Sequence, residues 1–325
     1  MTFVDIPVEE LPRYQGKNPK PADFDGFWDR GLAGMRALDP QLELVPAEFQ
    51  APFAECFDMW WTGMGGARVH AKLLRPRGAA AAGARPGPAV LMFHGYYGNC
   101  GDWQDKLGYV AAGFTVAALD VRGQGGLSED PGGVVGQTLR GQIMRGIDGP
   151  PERMFFRNVF LDTAQMAGLV MAMPWVDPER VGAQGGSQGG ALTLACAALE
   201  PRVSRAAPAF PFLCDFRQAW ELDIAPNMDG YGEIKHYFRQ FDPLHQREDE
   251  VFTKLGHIDI QHLAPRIRAR VMMAVALRDV TCPPSTQYAA YNRITAEKSL
   301  VIYPDFVHEA LPGLLDRMYQ FMLGM

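Results

Sequence analysis

The sequence of 325 residues predicts an α/β fold: a mostly parallel central sheet flanked by helices, with an N-terminal extension and a helical insertion. Three observations predict it. From Ala89 onward, apolar runs of strand length alternate with segments of helical length, the pattern of strands covered on both faces. A glycine-rich turn, Gly185 to Gly190, joins one such run to a helix pattern. Each of the last two runs ends in a loop that carries an acid or a histidine.

In chain order, Phe24, Phe27, Trp28, Leu32, Met35 and Leu38 recur at helical spacing and predict an amphipathic helix over 23–38. Strands follow at 55–62, where Phe57, Met59 and Trp61 alternate, and at 67–74. Residues 75–88 are rich in Ala, Gly and Pro and read as a surface hairpin or loop within one pattern of strands. Then come a strand at 89–94, a helix at 103–112, a strand at 114–120, a helix at 158–173 and a strand at 180–185. A helix starts at Gln188, strands are predicted at 205–210, 270–277 and 299–304, and a helix over 309–322 closes the chain. The aromatic and charged segment 220–267 breaks this rhythm. It reads as a helical insertion near the C-terminal edge of the sheet, a lid or an interface, within a single domain spanning 1–325.

With 47% hydrophobic and 21% charged residues the chain can bury a sizeable core. Its net charge of −6 and the lack of a basic stripe argue against a nucleic-acid partner. The five cysteines (Cys56, Cys100, Cys196, Cys214 and Cys282) are odd in number, and no pair has metal-ligand spacing. That is the usage of a reducing compartment, with Cys196 and Cys214 as small buried hydrophobes. The N-terminus has no cationic start with a signal-length apolar run, and no stretch of eighteen apolar residues occurs. A cytoplasmic protein without a membrane span is expected.

Gly185-Gly186-Ser187-Gln188-Gly189 is a G-x-S-x-G sequence after a strand and before a helix, the setting of the nucleophile elbow of the α/β-hydrolase fold. The bare alternative is a glycine-rich turn with a chance serine, and the partners argue against it. A serine hydroxyl needs a base, and in this fold the acid and then the histidine follow it in the chain. Asp279 comes directly after the run 271–277, and His308 follows the last strand, both at strand C-terminal ends where open sheets place their sites. Asp305 is the rival acid, three residues from His308 on the same loop. The Gln188 N–H opens the helix toward a developing oxyanion. The Tyr96 N–H, in the loop His94-Gly95-Tyr96 after the first long strand, is the candidate second donor, with His94 bonded beneath that loop.

The chain resembles the acetyl xylan esterase and cephalosporin C deacetylase family of carbohydrate esterases in three ordered motifs: Arg122-Gly123-Gln124, Gly185-Gly186-Ser187-Gln188-Gly189 and His308-Glu309. Phe93-His94-Gly95-Tyr96, Pro211-Phe212-Leu213-Cys214 and Cys282-Pro283-Pro284-Ser285-Thr286 add to the likeness, as does the region Phe24–Trp28, so that it spans nearly the whole chain. The resemblance implies deacetylation of small O-acetylated substrates, acetylated xylo-oligosaccharides and cephalosporin C among them. It also implies a homohexamer with its sites facing an internal cavity, and no metal or organic cofactor. By position it makes Ser187, Asp279 and His308 the triad, Tyr96 and Gln188 the oxyanion donors, and Pro211 and Phe212 acyl-pocket residues. It gives Arg122 and Gln124 a bracing role. The chain departs from the family in the loop Tyr97 to Trp103 and at Thr281, where an apolar side chain is expected; both bear on substrate preference. A general short-chain carboxylesterase or a serine peptidase of the same fold is the alternative. A non-catalytic binding protein would need a broken triad.

Overall fold

The computed structural model describes residues 5–133, 138, 140–224 and 230–325. Among these residues nine strands form one sheet: β1 (Glu43–Pro46), β2 (Ala54–Thr62), β3 (Arg68–Pro76), β4 (Gly87–Phe93), β5 (Thr115–Leu119), β6 (Val176–Gly186), β7 (Arg205–Ala209), β8 (Arg270–Ala276) and β9 (Lys298–Tyr303). Their order across the sheet is β1-β2-β3-β5-β4-β6-β7-β8-β9. The first three strands and the β3–β5 pair are antiparallel, and every pair from β5 to β9 is parallel. The chain reverses its direction of travel across the sheet at β4, and the crevice beyond the C-terminal ends of β4 and β6 is therefore the switch point where α/β sheets bind ligands.

The helices are α1 (Phe24–Arg36), α2 (Leu107–Ala111), α3 (Phe155–Met171), α4 (Gln188–Leu199), α5 (Phe216–Leu222), α6 (Gly232–Phe241), α7 (Glu248–Leu255), α8 (Ile260–Leu263), α9 (Pro284–Arg293) and α10 (Leu314–Leu323). The continuous apolar strands feed two cores, because successive side chains point to opposite faces. Leu91 and Ala117 join the core with α1, α3, α4 and the helices between β7 and β8, while Val90 and Val116 join α2 and α10 on the other face. The N-terminal extension docks onto the segment after β7. Tyr14 donates its hydroxyl to Asp215 at 2.7 Å, the Asn18 N–H reaches the same carboxylate at 2.8 Å, and the Trp28 indole donates to the His257 carbonyl at 3.0 Å. No helix among the described residues is long and apolar enough to cross a membrane.

The α/β class and the helical character of the segment between β7 and β8 are as the sequence predicts, and the differences have local causes. Residues 77–86 form an exposed turn but not a hairpin, since β5 inserts between β3 and β4. α3 begins at Phe155, three residues ahead of the expected start. Its residues are buried on nearly all sides, so no amphipathic stripe marks the beginning. The expected helix over 103–112 divides into a 3₁₀ turn, Gln104–Lys106, and the short α2. The last helix starts at Leu314, not Glu309, because Pro312 removes a donor and Gly313 turns at φ 69°. All five cysteines are free and buried.

Candidate active site

Ser187 sits between β6 and α4 at φ 58° and ψ −120°, a backbone conformation that a side chain rarely adopts. Three bonds hold it there: its N–H donates to Ala209 O at 3.0 Å, and its carbonyl accepts from the N–H groups of Phe212 (3.0 Å) and Ala191 (3.1 Å). The glycines around it are spatial necessities. A Cβ on Gly185 would lie 2.5 Å from Phe93 O, one on Gly189 would lie 2.8 Å from the Phe93 carbonyl carbon, and one on Gly190 would lie 2.6 Å from Ala209 O. The turn thus packs against the ends of β4 and β7 with no room for a methyl group, and α4 starts at Gln188 with its first amides directed at the crevice.

The loop after β4 supplies the facing wall. His94 is fixed beneath it: Nε2 accepts the Val121 N–H at 3.0 Å, so Nδ1 carries the proton and donates to Gly95 O at 2.7 Å. Burial lowers the pKa of this imidazole, in keeping with a neutral, structural ring. Gln188 and Gln124 form a reciprocal amide pair, with Nε2 to Oε1 distances of 2.7 and 2.9 Å. Gln124 Oε1 also accepts the Tyr97 N–H at 3.1 Å, and its Nε2 reaches Gln142 Oε1 at 2.8 Å. Among the described residues neither the Tyr96 nor the Gln188 N–H donates to a protein acceptor, which leaves both amides for a ligand oxygen.

The acid and the histidine come from the loops after β8 and β9. Asp279 Oδ2 lies 2.7 Å from His308 Nδ1. Asp279 Oδ1 accepts from the N–H groups of Thr281 (2.9 Å) and Cys282 (2.8 Å), so the carboxylate is held from one side and presented to the imidazole from the other. The Asp279 side chain is fully buried and that of His308 is 22% exposed. Asp305, the rival acid, is 81% exposed and pairs with Arg278. The structure therefore pairs His308 with Asp279, leaving Nε2 as the ring atom that can exchange a proton with a substrate or a nucleophile.

Phe212 is buried, with its ring centroid 5.5 Å from that of Tyr96, and a Cβ on Gly190 would meet Pro211 Cα at 3.1 Å, so both residues pack at the start of α4. Thr281 is half-buried and is tied to Asp279 through its N–H. Arg122 is buried with a bidentate pair to Asp162, both contacts 2.6 Å, and a bond to Met64 O at 3.0 Å, so it ties the segment after β5 to α3 and to the turn between β2 and β3. Phe210, Cys282 and Glu233 escaped the sequence reading. The Phe210 ring lies tilted against the His308 ring with centroids 4.7 Å apart, and its φ of 31° is invisible in the apolar run. Cys282 is buried and donates its N–H to Asp279 at 2.8 Å. Glu233 carries no motif at all.

Among the described residues two triplets have metal-like proximity, His70/Cys100/Asp120 and Asp279/Cys282/His308. A thiolate is the ligating form of cysteine. Burial, reinforced by Asp120, pushes the Cys100 thiol up to about 12, and burial raises the Cys282 thiol well above its ordinary value. His70 is also spent on Asp120 (2.7 Å) and Asp58 (3.0 Å). Both triplets are hydrogen-bond networks of neutral thiols with carboxylates and imidazoles.

A family model described as Acetyl xylan esterase (AXE1) matches residues 1–325. The solved structure of acetyl xylan esterase 1 from Thermoanaerobacterium sp. JW/SL YS485 is 55% identical with a TM-score of 0.94, covering 98% of this chain and 99% of the other. The acetyl xylan esterase from Paenibacillus sp. R4 is 33% identical with a TM-score of 0.89, covering 98% of this chain and 99% of the other. A curated relative, acetyl esterase Axe7A of Xylanibacter ruminicola, is 31% identical over 164 residues, half of this chain. That match spans only 35% of the relative's own length.

Proposed function

The chain belongs to the acetyl xylan esterase family and is a carboxylic ester hydrolase of the α/β-hydrolase fold, and from that premise we propose that it removes acetyl groups from small O-acetylated substrates through an acetyl-enzyme on Ser187. The observation that carries the reading is the Asp279–His308 contact of 2.7 Å, together with a serine held at φ 58° between β6 and α4.

His308 Nε2 takes the Ser187 proton as Oγ attacks the acetyl carbonyl, and then returns it to the departing alcohol. Asp279 holds the Nδ1–H tautomer and stabilises the imidazolium. The amides of Tyr96 and Gln188 receive the oxyanion, and water activated by His308 then cleaves the acyl-enzyme. One such donor is worth roughly 10²–10³ in rate. Pro211, Phe212 and Thr281 bound the acyl side, where the buried Phe212 ring limits depth and favours acetyl over longer acyl groups. Acetylated xylo-oligosaccharides and cephalosporin C are the substrates this reading favours, in a cytoplasmic homohexamer formed by one domain spanning 1–325. No cofactor enters the chemistry.

The test is initial-rate hydrolysis of p-nitrophenyl acetate, butyrate and octanoate, with acetylated xylobiose and cephalosporin C beside them. Expected are fast acetate turnover, a collapse with chain length, and a loss of several orders of magnitude in Ser187→Ala. Equal rates on octanoate would overturn the acetyl preference. Activity without Ser187 would overturn the mechanism.

A further inference from the structure

Glu233 lies in the first turn of α6, outside every strand-end loop that builds the site, yet three donors converge on its carboxylate. Oε1 accepts the Tyr97 hydroxyl at 2.6 Å and the Tyr96 hydroxyl at 2.9 Å. Oε2 accepts the Ile143 N–H at 2.9 Å. The side chain is buried, and burial raises its pKa against the pull of these donors. A buried carboxylate is tolerated only when its lone pairs are filled. Here two of the fillers are the side chains of the residue that carries the proposed oxyanion amide and of its neighbour.

The loop needs such an anchor. Tyr97 adopts φ 60°, which a bulky residue holds only under constraint. The two tyrosine rings stack with centroids 3.9 Å apart, and Tyr96 leans on Phe212 and Phe156. Below the loop, Gln124 fixes the Tyr97 amide and His94 fixes the turn. On the outer side, the carboxylate gathers both hydroxyls. Rotation of the Tyr96–Tyr97 peptide pair would carry the Tyr96 N–H away from Ser187 while leaving the acid–base pair intact.

We propose that Glu233 is the positioning residue of the oxyanion hole, so that helix α6 sets the placement of the Tyr96 amide through the two tyrosine hydroxyls. This rests on the reading of Tyr96 N–H as an oxyanion donor. The residue touches no reacting atom; it acts on the barrier through the loop, and its loss therefore weakens transition-state binding more than substrate binding.

The experiment compares wild type with Glu233→Ala, Glu233→Gln and Tyr97→Phe on p-nitrophenyl acetate, together with the inhibition constant of a boronic acid, whose tetrahedral adduct on serine places an oxygen in the hole. Ser187→Ala is run alongside. Glu233→Ala is expected to lower kcat about 10- to 100-fold with little change in KM, and to weaken boronic acid binding by a similar factor, part of the roughly 10²–10³ that a whole donor supplies. Glu233→Gln has one oxygen where the tyrosine hydroxyls and the Ile143 N–H now use two, and is expected to recover only part of kcat. Tyr97→Phe preserves volume, which keeps the test open if Glu233→Ala does not fold, and is expected to fall between the two. A lower melting temperature with unchanged kcat and unchanged boronic acid affinity would overturn the inference and leave the esterase mechanism standing. Activity in Ser187→Ala would instead overturn the reading on which it rests.

Discussion

Replacing Asp279 by Asn is the sharpest probe of the proton relay, because the surrounding bonds dictate how the amide must sit. Asp279 Oδ1 accepts two backbone N–H groups, from Thr281 and Cys282, and only an oxygen can do so. The Asn oxygen is therefore held on that side and its NH₂ faces His308 Nδ1 across the position now occupied by Oδ2, 2.7 Å away. Two donors cannot share that contact, so the imidazole is driven to the tautomer with the proton on Nε2, where it can no longer receive the serine proton. A wrong tautomer in an intact geometry lowers kcat by about 10⁴, close to 5 kcal/mol of barrier. The assay is steady-state hydrolysis of p-nitrophenyl acetate, with the melting temperature recorded to show that the fold persists. Asp305→Asn is the control, since Asp305 is exposed and pairs with Arg278. A kcat for Asp279→Asn within tenfold of wild type, or an equal loss in Asp305→Asn, would refute the argument.

Three further outcomes follow from the packing. Gly189→Ala forces the start of α4 and the end of β4 apart by a sizeable fraction of an ångström, because the added methyl would lie 2.8 Å from the Phe93 carbonyl carbon. Displacements on the scale of ~1 Å cost about 10²-fold in rate, so kcat is expected to fall by that order, while Gly168→Ala, which meets nothing within 4 Å in α3, keeps full activity. Arg122→Met leaves the Asp162 carboxylate buried and unpaired, with both side chains of the pair only 2% exposed. A loss of about 3–5 kcal/mol in urea unfolding is expected, and the double variant Arg122→Met/Asp162→Leu should recover much of it. Asp259, fully buried beside Asp215, has a carboxyl pKa raised to about 7, by burial first and the Asp215 charge second. Between the ordinary carboxylate range and about 7 the unfolded chain binds fewer protons at this group than the folded one, so its contribution to stability falls as pH rises through that window and is flat above it. Asp259→Asn should remove that decline in a pH series of urea unfolding, with Gln261 turning its otherwise unpaired Oε1 toward the new amide. A decline that persists in the variant would show that the proton sits elsewhere.

The parts of the site that the sequence made legible are those fixed by chain order. Ser187, Asp279 and His308 each lie within a few residues of the end of an apolar run, and in a parallel sheet the end of every such run reaches the same edge. Chain order does not separate Asp279 from Asp305; the contacts that favour Asp279, two backbone donors and the His308 ring, exist only in the folded loop. Glu233 was beyond reach for a different reason. It sits on a helix in the segment between β7 and β8, where no rhythm of strands fixes the direction of a residue, and its partners are 136 and 137 positions away. The helix starts at Phe155 and Leu314 were misjudged in opposite senses, the first because burial all around erases periodicity, the second because Glu309 to Leu311 look helical until Pro312 and Gly313 are weighed.

The exposed turn over residues 77–86 has a practical side. It joins the end of β3 to the beginning of β4, and so emerges at the edge of the sheet opposite the one that carries Ser187. Gly78 and Gly83 within it have no neighbours a side chain would strike, although both take positive φ. A tether to a solid support, a fluorescent reporter or a short affinity tag inserted there would stand a full strand length from the crevice. The polypeptide thus offers a point of attachment from which turnover can be watched on an immobilised molecule without the anchor entering the chemistry.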